Sequence, residues 1–251
     1  MKSIRALDES QSKAARIAGC AFLFAIVIVV TANYGINFRL IVPGNAVDTA
    51  LNIRAHEMLF RLNIACNLIY SFSLVVLLAS LYLILKPVSR VLALLAAYCR
   101  MVLALMWCVA GLESLGALRL LGNSAYLPVF DSNQLQTLAR LHLAAGYDVY
   151  YIGLPFWGIA STICYYLWLK SEYIPKGLAV LGLFSSAWCV FCAFTFIVYP
   201  HFEATVNASW FDMPMLLSEM ALGFWLVFKG LRPSGRAGPE TTSSQAKTDA
   251  A

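Results

Sequence analysis

Six apolar runs, at residues 17–37, 59–86, 91–118, 148–169, 178–199 and 213–229, occupy most of the chain and leave it few ways to fold. Each approaches the roughly 20 residues a helix needs to cross a hydrocarbon core about 30 Å thick. Hydrocarbon offers no partner to a free backbone N–H or C=O, so such runs must close their hydrogen bonds internally as helices. The expected fold is all-α, a six-transmembrane-helix bundle. Composition agrees, with 61% hydrophobic and 12% charged residues against about 45–50% and 25% in soluble domains. A chain of 251 residues cannot hide that much apolar surface in water.

Charge placement orients the bundle. With the runs drawn as helices, one side receives Lys2, Arg5, Lys13, Arg16, Lys86, Arg90, Lys170, Lys176, Lys229, Arg232, Arg236 and Lys247. The other receives Arg39, Arg54, Arg61, Arg119 and Arg140, and Arg100 lies inside a run. The positive-inside rule then puts both termini in the cytoplasm. Topology accounts for the net charge of +5, so lipid is the expected partner and nucleic acid is not. The first run reads as a retained helix rather than a signal peptide: it is too long, lacks a small-x-small cleavage site, and precedes five more spans. All seven cysteines fall within apolar runs. Cys189 and Cys192 form a C-x-x-C in mid-span with no second pair, which fits packing better than thiol or metal chemistry.

The organisation expected is a cytoplasmic segment at 1–14, a membrane domain at 15–230 and a disordered cytoplasmic tail at 231–251, rich in Gly, Ser, Thr, Pro and charge. The inner loops, Lys86 to Arg90 and Lys170 to Gly177, are short enough to make their flanking helices antiparallel neighbours. The outer loops carry amphipathic helical segments. No glycine or proline interrupts Asn45 to Lys86, which predicts a helix running straight into the second span, with Glu57 and Arg61 paired one turn apart. Asp131 and Gln134 have capping-box spacing ahead of Leu135, Leu138, Ala139 and His142, with Gly146 as the expected stop. Together these segments would cap the outer mouth of the bundle. Tyrosines and tryptophans at both ends of the runs, among them Tyr34, Tyr147, Tyr150, Tyr199, Tyr82, Tyr166 and Trp168, form interfacial belts.

A series of short motifs runs through the chain in order. Ala15-Arg16-Ile17-Ala18-Gly19 opens the first helix, Ile41-Val42-Pro43-Gly44 leads towards Leu59-Phe60-Arg61, and Leu81-Tyr82-Leu83 precedes Lys86-Pro87. Leu92-Ala93-Leu94-Leu95-Ala96-Ala97 stands ahead of Arg100, followed by Ile152-Gly153-Leu154, Ser171-Glu172-Tyr173-Ile174-Pro175, Glu219 to Trp225, and Lys229-Gly230. In their order and spacing these resemble the bacterial membrane family known as domain of unknown function 4386, over roughly residues 15–230. Where that family usually has Phe-Phe-Gly, this chain has Pro155-Phe156-Trp157-Gly158. The resemblance implies a six-span bacterial inner-membrane protein and supplies neither reaction nor ligand.

Ionisable side chains inside a membrane are costly and turn towards the bundle interior. Arg100 is ten residues from Arg90, and Glu219 ten from Lys229. Both therefore lie about 15 Å deep at 1.5 Å per residue, which makes them partners in an ion pair or members of a proton or ligand site. Asn63 and Asn67 share one face of the second span, and Asp148, Tyr151 and Pro155 one face of the fourth. Asp148, Asn63 and Asn67 could form an outward-opening polar pocket, or serve interhelical hydrogen bonding. Glu113 points about 140° away from Arg100 and belongs to another wall. The three histidines, His56, His142 and His201, come from three outer loops without a metal-ligand spacing, so no metal is expected. Neither P-loop, dinucleotide fingerprint nor G-x-S-x-G elbow occurs, and no cofactor is expected. Three readings stay open. One is binding or transport of a small molecule or lipid at Arg100, Glu219, Asp148, Asn63, Asn67 and Tyr151. Another is an intramembrane enzyme acting on a lipid or isoprenoid through His142, Asp148 or His201. The last is a structural or regulatory subunit using Gly153, Gly158 and Gly182 for helix contact. Oligomeric state is not legible.

Overall fold

A computed structural model describes residues 9–122, 129–199, 201–202, 206 and 208–232. Every element among them is helical. Helix α1 (Glu9–Val30) passes through a π-helical stretch (Thr31–Asn37) into the short α2 (Phe38–Leu40). There follow α3 (Ala46–Ala55), α4 (Glu57–Leu85), α5 (Arg90–Leu121), α6 (Ser132–Ser171), α7 (Lys176–Val198), α8 (Ala208–Phe211) and α9 (Met213–Phe228).

The six long helices close a ring in chain order: α1 on α4, α4 on α5, α5 on α6, α6 on α7, α7 on α9, and α9 back on α1. Short connections at Lys86–Ser89 and Glu172–Pro175 enforce the antiparallel neighbours expected of them. Glycines set the closest approaches. A Cβ on Gly19 of α1 would lie 2.8 Å from the Gly223 carbonyl oxygen of α9, and one on Gly158 of α6 would lie 3.2 Å from the Ser186 carbonyl oxygen of α7. The Tyr165 ring lies over Gly182. Gly158 and Gly182 are thus used within the ring itself. Around its outside stand exposed Phe24, Phe72, Leu94, Phe184, Phe191 and Phe224, a surface suited to hydrocarbon and not to water.

Five of these helices are long and apolar enough to cross a membrane, whereas α9 has 16 residues. The sequence run of 213–229 is helical as α9, which opens after α8 and a break at Asp212, its N-terminal cap.

Local departures from expectation have visible causes. The helix from Asn45 is interrupted at His56 (φ −129°, ψ 43°). Upstream of the break, α3 is tied to other elements: Arg54 Nε donates to the Leu121 carbonyl at 3.0 Å, and Ile53 and Ala50 are buried. Downstream, α4 follows the ring, and Glu57 and Arg61 pair at 2.7 Å as expected. Tertiary anchoring overrides local helix propensity here. The capping box is formed, with Gln134 N donating to Asp131 Oδ1 at 2.8 Å and Asp131 N donating to Gln134 Oε1 at 3.2 Å. Yet α6 runs on through Gly146 and Pro155 for 40 residues, about 60 Å. A glycine inside a helix costs only about 1 kcal/mol, less than the extensive α5–α6 interface supplies. At the chain ends, α1 starts within the expected 1–14 segment, and Arg232 is docked: its N–H donates to the Tyr173 carbonyl at 2.8 Å and its guanidinium lies 4.8 Å from the Trp225 ring centroid. The remainder of the expected tail, 233–251, falls outside the described residues.

Candidate functional site

The centre of the ring is closed at mid-depth by four side chains from three helices. Glu219 of α9 and Arg100 of α5 are buried, at 5% and 2% exposure, with Arg100 Nη2 donating to Glu219 Oε1 at 2.9 Å. Equal depth and opposite charge thus identify a pair that the fold does form. Ser161 of α6 joins it, accepting from Arg100 Nη2 at 2.9 Å and donating to Glu219 Oε1 at 2.6 Å. Trp157, one turn earlier on the same face, donates its indole N–H to Glu219 Oε2 at 3.1 Å. Both carboxylate oxygens are therefore engaged, as a buried charge requires. From α1, the Phe22 ring faces the guanidinium, 5.4 Å from its centroid. Beneath this node the ring is filled by Leu81, Leu85, Tyr165, Trp168 and Ile174, save for a void of about 10 Å³ beside Leu81, Leu85 and Cys164.

Above the node lies a cavity of about 370 Å³, within the usual size of a small-molecule site. It extends from Pro43 and Asp212 at the outer end to Leu77 and Glu219 at its floor. Phe60 and Leu77, both on its α4 wall, are separated by about 25 Å of helix. Helices α1, α4, α5, α6 and α9 all contribute to the lining. One side is aromatic. The Tyr70 and Trp107 rings meet edge-on at 4.8 Å, Trp107 and Tyr150 at 6.0 Å, Tyr150 and Tyr151 at 5.4 Å, and Tyr151 stacks on Phe196 at 4.1 Å. The other side is amidic. Asn33 Nδ2 donates to the Val29 carbonyl at 3.1 Å, Asn37 Nδ2 to Asn33 Oδ1 at 3.2 Å, and Asn63 Nδ2 to Asn37 Oδ1 at 2.8 Å. The π-helical turn carries Asn33 and Asn37, a local geometry frequent at functional sites.

The sequence-derived residues separate into three groups. Asn63, Asn67, Tyr151 and Glu219 line the cavity. Arg100 stands behind Glu219, outside the large cavity, beside Cys164 and the small void beneath the node. Asp148 is exposed and does not join Asn63 and Asn67. Its neighbours Tyr147, Tyr150 and Tyr151 reach the lining with long rings, whereas its short side chain ends at the exposed surface. The carboxylate at the outer end is instead Asp212, accepting from the Tyr150 hydroxyl at 3.0 Å. Sequence reasoning passed over Asn33, Asn37, Tyr70, Trp107, Tyr150, Trp157 and Ser161. Asn33 and Asn37 carry the same four-residue spacing that singles out Asn63 and Asn67, and Trp157 and Ser161 share it too. Of the aromatic residues, Tyr150 reads in the sequence as part of an interfacial belt, and Tyr70 and Trp107 carry no signal beyond that of ordinary span residues.

The histidines do not converge. His142 Nδ1 is 2.6 Å from Glu113 Oε2, in a contact admitted by Gly116, and this pair ties α5 to α6. His56 marks the helix break and His201 is exposed. Among the described residues no group of three or more histidine, cysteine or acidic side chains is placed to hold a metal. A family model described as "Domain of unknown function (DUF4386)" matches residues 17–230. No curated protein and no solved structure matches the chain.

Proposed function

The chain belongs to the DUF4386 family, and we propose that it is a six-span protein of the bacterial inner membrane that binds a small molecule or lipid in the cavity of its helical ring. The cavity carries this reading: about 370 Å³ of space ends on a buried carboxylate, in a bundle where void volume is costly to maintain. Six spans and cytoplasmic termini are supported by basic residues at the inner helix ends, Lys13, Arg16, Lys86, Arg90, Lys170, Lys176 and Lys229. The sixth crossing falls on α9, whose 16 residues reach about 24 Å with Asp212 at their mouth, a length that local thinning of the bilayer accommodates. Binding is favoured over conduction, because the packed layer under the node leaves the cavity open on one side of the bundle only.

The test uses the full chain in zwitterionic lipid nanodiscs with N-phenyl-1-naphthylamine, a neutral apolar fluorophore. Trp107 and Trp157 line the cavity and serve as energy-transfer donors. Saturable transfer at one site per chain is expected, weakened about tenfold or more by filling the cavity with Ala110→Trp. The lipid-facing control Leu105→Trp should leave it in place. Transfer that does not saturate, or that is indifferent to Ala110→Trp, overturns the proposal.

A further inference from the structure

The charge and hydrogen-bonding character of the cavity is one-sided. Asp212 and Glu219 both line it, while no lysine, arginine or histidine does among the described residues. Glu219 is neutralised from behind by Arg100, but Asp212 has only hydrogen-bond donors, with the Tyr150 hydroxyl at 3.0 Å. A site for a carboxylate or phosphate would need the opposite lining.

The amide series has a fixed direction, which physical chemistry alone determines. The Val29 carbonyl can only accept, so Asn33 must turn its NH₂ towards it and offer its oxygen to Asn37. Asn37 must then donate to Asn33 and present its own oxygen to Asn63, which has to donate in turn. The series therefore ends on Asn63 Oδ1, an acceptor. Among the described residues that oxygen has no partner, and neither has Asn67 Oδ1 one turn further along α4, although both oxygens are covered by protein atoms and the two residues are only 2% and 6% exposed, so a visiting donor meets them as the amides turn into the cavity. Two buried carbonyl oxygens without donors are a costly arrangement unless a donor arrives. Beside them in the lining stand Tyr70, one turn from Asn67 on α4, and Trp107, which meets it edge-on at 4.8 Å, and aromatic rings attract cations.

We propose that the occupant is an amphipathic ammonium compound, its N–H donors on the amide oxygens of Asn63 and Asn67 and its apolar body along the aromatic and aliphatic walls. This rests on the cavity being a binding site. It identifies the class of ligand.

The experiment is displacement of N-phenyl-1-naphthylamine from the full chain in nanodiscs by three probes of one chain length. These are dodecylammonium, dodecanol and dodecanoate, compared at equal concentration in the membrane. Dodecylammonium should displace the fluorophore roughly tenfold or more better than dodecanol, with dodecanoate weakest, as charge-assisted hydrogen bonds require. Asn67→Leu should collapse the preference for ammonium over alcohol, and Asn67→Asp should enlarge it, so that a mere folding defect cannot imitate both. If the fluorophore binds but the three probes compete alike, or dodecanoate competes best, the ammonium assignment is wrong and the cavity reading survives. If the fluorophore itself finds no saturable site, both are wrong.

Discussion

Three donors from two other helices converge on the two carboxyl oxygens of Glu219 at mid-depth. Removing the charge alone strands Arg100, whose other guanidinium nitrogens, Nε and Nη1, already lack partners among the described residues. Glu219→Gln should therefore lower stability by about 3–5 kcal/mol, whereas replacing both residues by apolar ones of similar volume should recover most of that loss. Thermal unfolding in detergent of the single variants and of Arg100→Met with Glu219→Leu checks this. Equal melting of Glu219→Gln and wild type would show that the pair contributes nothing. Asp212, outside the spans, has a different electrostatic fate. Burial pushes its carboxyl above the usual range, opposed by the Tyr150 hydroxyl and by the backbone N–H groups of Asp212 and Met213. Its titratable neighbours on adjoining elements are Tyr150 of α6 and Cys189 of α7. A carboxyl raised in the fold binds protons more readily there than in the unfolded chain. Its contribution to stability is thus present at low pH and fades as pH rises through the folded value. An ammonium ligand prefers the ionised form, so its affinity should weaken as pH falls through that same value. Asp212→Asn should flatten the dependence, and an identical pH profile in that variant would contradict the assignment.

Where helices touch, small residues decide the geometry. Gly19→Leu would drive a side chain into the backbone of Gly223 and Val227, at a cost of about 1–3 kcal/mol from forced helix displacement. A melting temperature unchanged in Gly19→Leu would contradict the close α1–α9 contact. At the other end of the scale, Asp131→Ala should cost only about 1 kcal/mol, the worth of an N-terminal cap. What the sequence made legible follows the same division. The positions of the long apolar helices, the Asp131–Gln134 cap and the Glu57–Arg61 pair are written in local spacing, and the matching level of Arg100 and Glu219 in simple counting. The break at His56 and the passage of α6 through Gly146 are settled by tertiary contacts, which outweigh a propensity of a kilocalorie or so. The amide series was only half legible. Asn63 and Asn67 share a face by spacing, but their link to Asn37 joins residues 26 positions apart and depends on the π-helical turn. Asp148 misled because a carboxylate near a span end carries no sign of which way its helix face turns.

At the scale of the whole molecule, the ring encloses an open half towards Pro43 and Asp212 and a closed half towards Leu81 and Leu85, separated by Arg100, Glu219, Ser161 and Trp157. The chain order of the helices dictates this: sequential antiparallel neighbours close on themselves once α9 meets α1, and a six-membered ring leaves a centre that side chains must fill. They fill it below the node and not above. Single cysteines in a chain freed of its seven native ones test this division directly, with a membrane-impermeant cationic thiol reagent added from either face of sealed vesicles. Asn63→Cys and Tyr70→Cys, in the cavity wall, should be modified from the outer face. Leu81→Cys and Ile84→Cys, below the node, should resist from both. Protection at Asn63, or ready modification of Leu81 or Ile84, would contradict a cavity that opens outward and ends at Glu219.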